Sequence, residues 1–156
     1  MRTTSALFPF VVMMAVPLSA RLSAQTSADT ASVRAFFGEW FSSAAQSPER
    51  YASFYAEDGR VLPPNKPPAT GRAAIAEWWR QSQAESPWTV RPERITEDEM
   101  RFMGSDWVVY RGTLGGQRIP RAGGAAVPFE TKYFDLLHRR ADGRWEVVYR
   151  MWSDNR

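Results

Sequence analysis

From Trp88 to the C-terminus, β-branched and aromatic residues alternate with polar ones, and the runs are broken by turns and one longer loop bearing glycine or proline. A period of two puts successive side chains on opposite faces of a strand, so this half of the chain is committed to a sheet. The half before it repeats differently. Val33, Phe36, Phe37, Trp40, Phe41 and Ala44 form one stripe of an amphipathic helix. Ser47, Pro48 and Glu49 then start a second helix, since serine caps free amides, proline suits the first helical position and glutamate suits the positive end. Its apolar side carries Tyr51, Phe54 and Tyr55, and Gly59 is expected to end it. Thr70 caps a third helix with Ala74, Ile75, Trp78 and Trp79 on one face. Helices followed by strands predict an α+β fold, an antiparallel sheet packed on three N-terminal helices. A sheet curved over helices leaves a cavity between them, a usual place for small ligands.

Between the second and third helices, Arg60 to Leu62 read as a short strand, and Pro63, Pro64, Pro67 and Pro68 forbid a central one. The stretch from Tyr55 to Trp79 therefore reads as a pocket mouth. In the strand half, Val90 to Met103 give one or two strands broken near Pro92, and Gly104 to Asp106 make a turn into Trp107 to Leu114. Gly115 to Pro128 read as a long mobile hairpin loop. Phe129 to Arg140 and Arg144 to Ser153 form a last hairpin around Ala141, Asp142 and Gly143.

The first residues read as an export signal. Arg2 is followed by an apolar run from Ala6 to Ala20 and then by small residues at Ser23 and Ala24, so cleavage is expected near Ala24. The run is too short for a stable membrane anchor, which needs about 20 apolar residues. This division makes residues 1–24 a signal peptide and residues 25–156 a single domain of periplasmic or secreted destination. The 20 basic residues of the chain include Arg2 and Arg21, and no acid stands before residue 25, so the domain carries 18 bases against 17 acids. Such a balance argues against nucleic acid as a partner. Cysteine is absent and His138 is the only histidine, which excludes disulfides, thiolate chemistry, serine triads and most transition-metal sites. No metal and no cofactor are called for.

Several pieces, taken in order, resemble the nuclear-transport-factor-2-like superfamily, in the branch holding SnoaL-like polyketide cyclases and ketosteroid isomerases. They are Tyr55, Asp58, Val61 and Pro64, then Gly71, Arg72 and Ile75, the Gly104 and Asp106 turn before Trp107, and the closing FDLLHRRADGRWEVVYRMW. The resemblance spans roughly Ala31 to Asp154. It implies a cone-shaped α+β barrel with a curved antiparallel sheet and a pocket open near the loop after the first strand. The ketosteroid isomerases carry their catalytic base just after that strand and before a proline; the matching position here is Pro63, so the resemblance implies that this reaction is absent. It also sets Asp135 where those enzymes place a hydrogen-bond-donating acid, with Trp40 nearest to their oxyanion tyrosine.

Two acids are candidates for chemistry. Asp58 is a candidate base, or else binds backbone amides in the turn before the first strand. Asp135 is a candidate neutral donor, or else an ion-pair partner of Arg150. Trp40, Tyr55, Pro63, Trp79, Tyr110, Tyr133 and Arg150 are the expected ligand-binding residues, Arg150 meeting either an anionic ligand or solvent. Most aromatic rings read as core, because a domain of this size needs large side chains to fill it, and His138 reads as a surface or cross-strand residue. Two functions follow. One is a pocket for a small apolar or aromatic molecule, with weak acid–base chemistry. The other is a non-catalytic module whose sheet face, bearing Val148 and Trp152, forms a homodimer or binds another protein.

Overall fold

The computed structural model describes residues 18–155, with side chains from Thr26 onward. The charged and apolar start of the expected signal, residues 1–17, lies outside the described residues. Three helices, α1 (Leu18–Ser43), α2 (Pro48–Ser53) and α3 (Arg72–Glu85), precede or interrupt six strands. The strands are β1 (Tyr55–Leu62), β2 (Ala69–Thr70), β3 (Trp88–Met103), β4 (Trp107–Pro120), β5 (Val127–Arg139) and β6 (Trp145–Asn155). They form one sheet in the order β2-β1-β6-β5-β4-β3. The fold is α+β as the periodicity predicts, but the sheet is mixed, because β1 runs parallel to β6. The sheet is open, with β2 and β3 at its edges.

Helix α1 buries Val33, Phe37 and Trp40 against the sheet and is tied to it by polar contacts. Trp145 Nε1 donates to Ser32 Oγ at 2.9 Å, and Arg139 meets Asp29 at 2.5 Å. Ser47 caps α2 as expected, its Oγ accepting from the Arg50 amide at 3.0 Å. The second helix is shorter than its apolar residues predict. It ends at Ser53, and Tyr55 already belongs to β1. Gly59 is not a helix stop; it lies in β1 where the pairing with β6 shifts, and a Cβ there would lie 2.8 Å from the Val147 carbonyl oxygen. Nor does Thr70 cap α3. That place is taken by Gly71 at φ +83°, whose amide donates to the Gly59 carbonyl at 2.8 Å. Ile75 and Ala76 turn into the core, while Ala74 is exposed.

The strands run further than the turn residues suggest. Pro92 does not break β3, because β3 is an edge strand and absorbs the proline beside a shift of register between Pro92 and Arg94. The long loop expected from Gly115 to Pro128 contracts to residues 121–126, since Gly115 and Gly116 pair with both β3 and β5. Glycine serves closeness there. A Cβ on Gly116 would overlap the Arg91 carbonyl oxygen of the adjoining strand.

Gly112 has the same role at a more telling place. It stands opposite Tyr133, whose hydroxyl crosses β4 to donate to the Thr96 carbonyl at 3.1 Å. A Cβ on Gly112 would overlap that carbonyl and lie 2.6 Å from the hydroxyl. Backbone cannot yield as a flexible side chain does, so Gly112→Ala is expected to cost about 3 kcal/mol in urea unfolding. Gly38→Ala is the control. Gly38 sits in α1 with nothing within 4 Å of a built Cβ, so alanine there is expected to add about 1 kcal/mol.

Candidate functional site

Strand β5 alternates cleanly, with Tyr133, Asp135 and Leu137 buried toward the helices and Phe134, Leu136 and His138 on the opposite face. Strand β6 does not. Trp145 and Val147 face inward, which by simple alternation would also turn Tyr149 and Met151 inward and Arg150 outward. A register shift between Leu136 and Leu137 leaves Val148 unmatched, and the pairing resumes as Leu136 with Tyr149 and Asp135 with Arg150. One extra residue reverses the facing of everything after it. Arg150 and Trp152 point into the molecule, and Tyr149 and Met151 are exposed. The placement of Trp152 on the outer face is thereby corrected: its ring packs 5.6 Å from that of Trp78.

Inside, Arg150 Nη1 donates to Asp135 Oδ2 at 3.3 Å. The guanidinium carbon lies 4.2 Å from the centre of the Trp40 ring and 5.6 Å from that of Tyr133, close enough for both rings to attract its charge. Tyr51 and Tyr55 complete the surround, their hydroxyls 2.8 Å apart. Asp135 is fully buried, and among the described residues its second oxygen, Oδ1, has no hydrogen-bond partner. Burial lifts the Asp135 pKa to about 6, with Arg150 pulling it back. At Arg150 burial opposes the charge, but Asp135 and Tyr51, Tyr55 and Tyr133 outweigh it and hold the guanidinium protonated. Burial also raises all three tyrosines, Tyr55 and Tyr133 most strongly.

Of the residues singled out in the sequence, the fold brings Trp40, Tyr55, Tyr133, Asp135 and Arg150 together. Trp79 joins them through Tyr51, the two rings stacking at 4.1 Å. Tyr110 stacks on Phe37 at 3.9 Å and on Tyr133 at 6.0 Å, so it braces the wall. Asp58 and Pro63 stand apart. Asp58 is exposed within β1, not in a turn, and among the described residues its carboxylate has no partner. Pro63 is buried just beyond β1 and puts no titratable group near the carboxylate. The sequence reading missed Tyr51, which its place on α2 marked only as core, and Trp78, whose buried Nε1 has no acceptor among the described residues. His138 lies on the outer face beside Trp107 and 3.4 Å from Glu146, the cross-strand role expected of it. Among the described residues no cluster of acids and histidines could hold a metal, and no helix is long and apolar enough to cross a membrane.

A mixed sheet wrapped on N-terminal helices, with a carboxyl and a guanidinium buried among aromatic rings, defines an α+β cone of the nuclear-transport-factor-2-like, ketosteroid-isomerase-like kind. Residues 33–148 match the SnoaL-like domain, and the chain belongs to that family. Solved structures share the fold at low identity. A ketosteroid isomerase-like protein from Erwinia carotovora atroseptica is 21% identical over 81% of this chain and 93% of its own, with a TM-score of 0.66. A protein described as a scytalone dehydratase, from Novosphingobium aromaticivorans, is 15% identical over 86% and 89%, with a TM-score of 0.68. The hexachlorocyclohexane dehydrochlorinase LinA-type3 from Novosphingobium barchaimii is 14% identical over 86% and 91%, with a TM-score of 0.68. No curated protein sequence matches the chain significantly.

The environment of Asp135 makes a pH prediction. Its folded pKa is raised from 3.8 to about 6, so the native state holds the proton more tightly than the unfolded chain. This group therefore favours folding at low pH, and its contribution is withdrawn as pH rises from about 4 through about 6. Relative to Asp135→Asn, the wild-type unfolding free energy is expected to fall by about 3 kcal/mol across that window and to run parallel above it. Carboxyl carbon NMR should place the Asp135 midpoint near 6; a midpoint at or below 3.8 would mean that Arg150 keeps it charged throughout.

Proposed function

We propose that this SnoaL-like domain binds a small apolar or aromatic molecule inside the cone, beside Asp135 and Arg150. The observation that carries the reading is the buried ion pair itself. Two charges taken out of water cost several kcal/mol each, and apolar side chains of similar size would stabilise a core as well or better. A core needing only to be solid has no use for such a pair, and perturbed acids in an aromatic surround mark sites. Trp40, Tyr55, Trp79 and Tyr133 supply flat apolar walls; Asp135, near neutrality in pKa, supplies a proton donor or acceptor. Any turnover is weak acid–base chemistry through Asp135: the resemblance sets Pro63 at the place of the isomerases' base, and among the described residues no second acid faces Asp135.

A second reading has its own observation. The outer face exposes Trp107 by 37%, Tyr149 by 37% and Met151 by 44%, with Phe134 and Leu136 between them. This apolar patch is a surface for a second copy of the chain or another protein. Export is proposed on sequence grounds. Cleavage after Ala24 would leave the Asp29 and Ser32 ties of α1 in place.

Three measurements check these readings. Titration with flat aromatic molecules is expected to quench the tryptophan fluorescence and raise Tm; a panel producing neither change would remove the interior pocket and leave the outer face as the functional surface. Sedimentation analysis is expected to show a dimer that Tyr149→Glu with Met151→Glu dissociates; a monomeric wild type would sink the paired-copy reading. N-terminal sequencing of periplasmic protein should begin at Gln25.

A further inference from the structure

A groove of about 520 Å³ opens on the outer face of the sheet, away from the helices. The register sets Thr113, Lys132 and Ser153 in one row across β4, β5 and β6, and Phe134 beside Met151 in the next outward row. Asp98 lines the same groove from β3, where the pairing with β4 shifts between Glu97 and Glu99. Its two oxygens accept from the Thr96 and Thr113 hydroxyls at 3.3 Å and 3.4 Å. The charges in this hollow are not all matched. Arg111 at its rim is paired with Glu99, but among the described residues neither Asp98 nor Lys132 meets an opposite charge. The two stand on opposite sides of β4, two strand spacings or about 10 Å apart at the backbone. One hollow thus presents an open carboxylate on one wall, an open ammonium on the other and an apolar shelf one row along.

We propose that this groove binds a free α-amino acid with an apolar side chain, its ammonium on Asp98 and its carboxylate on Lys132. An α-amino acid carries both charges on one carbon, about 3 Å apart. With about 2.8 Å for each charge-assisted contact it spans about 9 Å, close to the separation of the two walls. A ligand with one charge would satisfy one wall and leave the other as it is. Ser153 stands directly opposite Lys132 and adds a hydroxyl donor at the carboxylate end. The apolar side chain of the ligand lies over Phe134 and Met151, and Met151, 44% exposed in the free protein, is covered by it. None of these side chains faces Asp135, so the assignment stands apart from the interior reading. Phe134 and Met151 also belong to the outer apolar patch, so an amino acid and a second copy of the chain exclude each other there.

An NMR titration of isotope-labelled protein with L-leucine tests this, run beside N-acetyl-L-leucine, which lacks the ammonium, and isopentylamine, which lacks the carboxylate. Leucine is expected to shift the amides of Thr113, Lys132 and Ser153 to saturation and to bind at least about threefold more tightly than either analogue. Glycine, with both charges and no side chain, should bind more weakly than leucine. Lys132→Gln should lower leucine to the level of the amine, and Asp98→Asn to that of the acetylated acid. Both residues are exposed, so neither change threatens the fold. If either analogue binds the wild type as tightly as leucine, the two-ended anchor is wrong. If leucine leaves these three amides unmoved, the groove is not an amino-acid site.

Discussion

Val148 is one residue more than β5 can pair, and the interior of this protein depends on that mismatch. Before it, Trp145 and Val147 face the helices; after it, Arg150 and Trp152 do. Without the shift, Arg150 would meet water and Tyr149 and Met151 would fill the cone. Asp135 would then be a buried acid with no counter-charge, an arrangement that cores tolerate poorly. A local irregularity of backbone pairing thus decides the charge pattern of the whole site.

The surround of that site is built from elements distant in sequence that share one requirement, flat rings of the right height. Trp40 comes from α1, Tyr51 from α2, Tyr55 from β1, Trp79 from α3 and Tyr133 from β5. Their mutual stacking, such as Tyr51 on Trp79, fixes their planes and leaves the guanidinium held by Trp40 and Tyr133. Gly112 completes the arrangement by omission, since only a missing side chain lets Tyr133 cross β4 to its acceptor on β3. The same substitution of space for side chain recurs at Gly59 and Gly116, where the backbone of a neighbouring strand comes too close for a Cβ.

The outer surface is organised by different physics. Edge strand β3 is long and open on one side, which invites pairing with another chain. Pro92, two register shifts and the ion pairs of Glu99 with Arg101 and Arg111 make that edge a poor template. Exposed apolar residues stand on both parts of the sheet, with Val90, Ile95 and Met103 on β3 and Trp107, Val127, Tyr149 and Met151 across β4, β5 and β6.

Much of the fold was legible in the sequence because periodicity is local. The helical stripe from Val33 to Ala44, the Ser47 cap and the alternation of β5 each depend on neighbours a few residues away, and each holds. So does the burial of Asp135, which follows from its alternation with Tyr133 and Leu137. The limits of α2, the length of β4 and the role of Gly59 were not legible, since glycine reads as a stop whether it ends an element or admits a neighbouring backbone. The site was half legible. Composition removed thiols, disulfides and histidine triads, and the resemblance set Pro63 where the related isomerases carry their base. That Arg150 turns inward rests on the register between two strands, and that Tyr51 and Trp78 join it rests on helices packing across the sheet. Such contacts exist only once the chain has closed, because side-chain facing after a bulge is set by the partner strand and not by the residue's own neighbours.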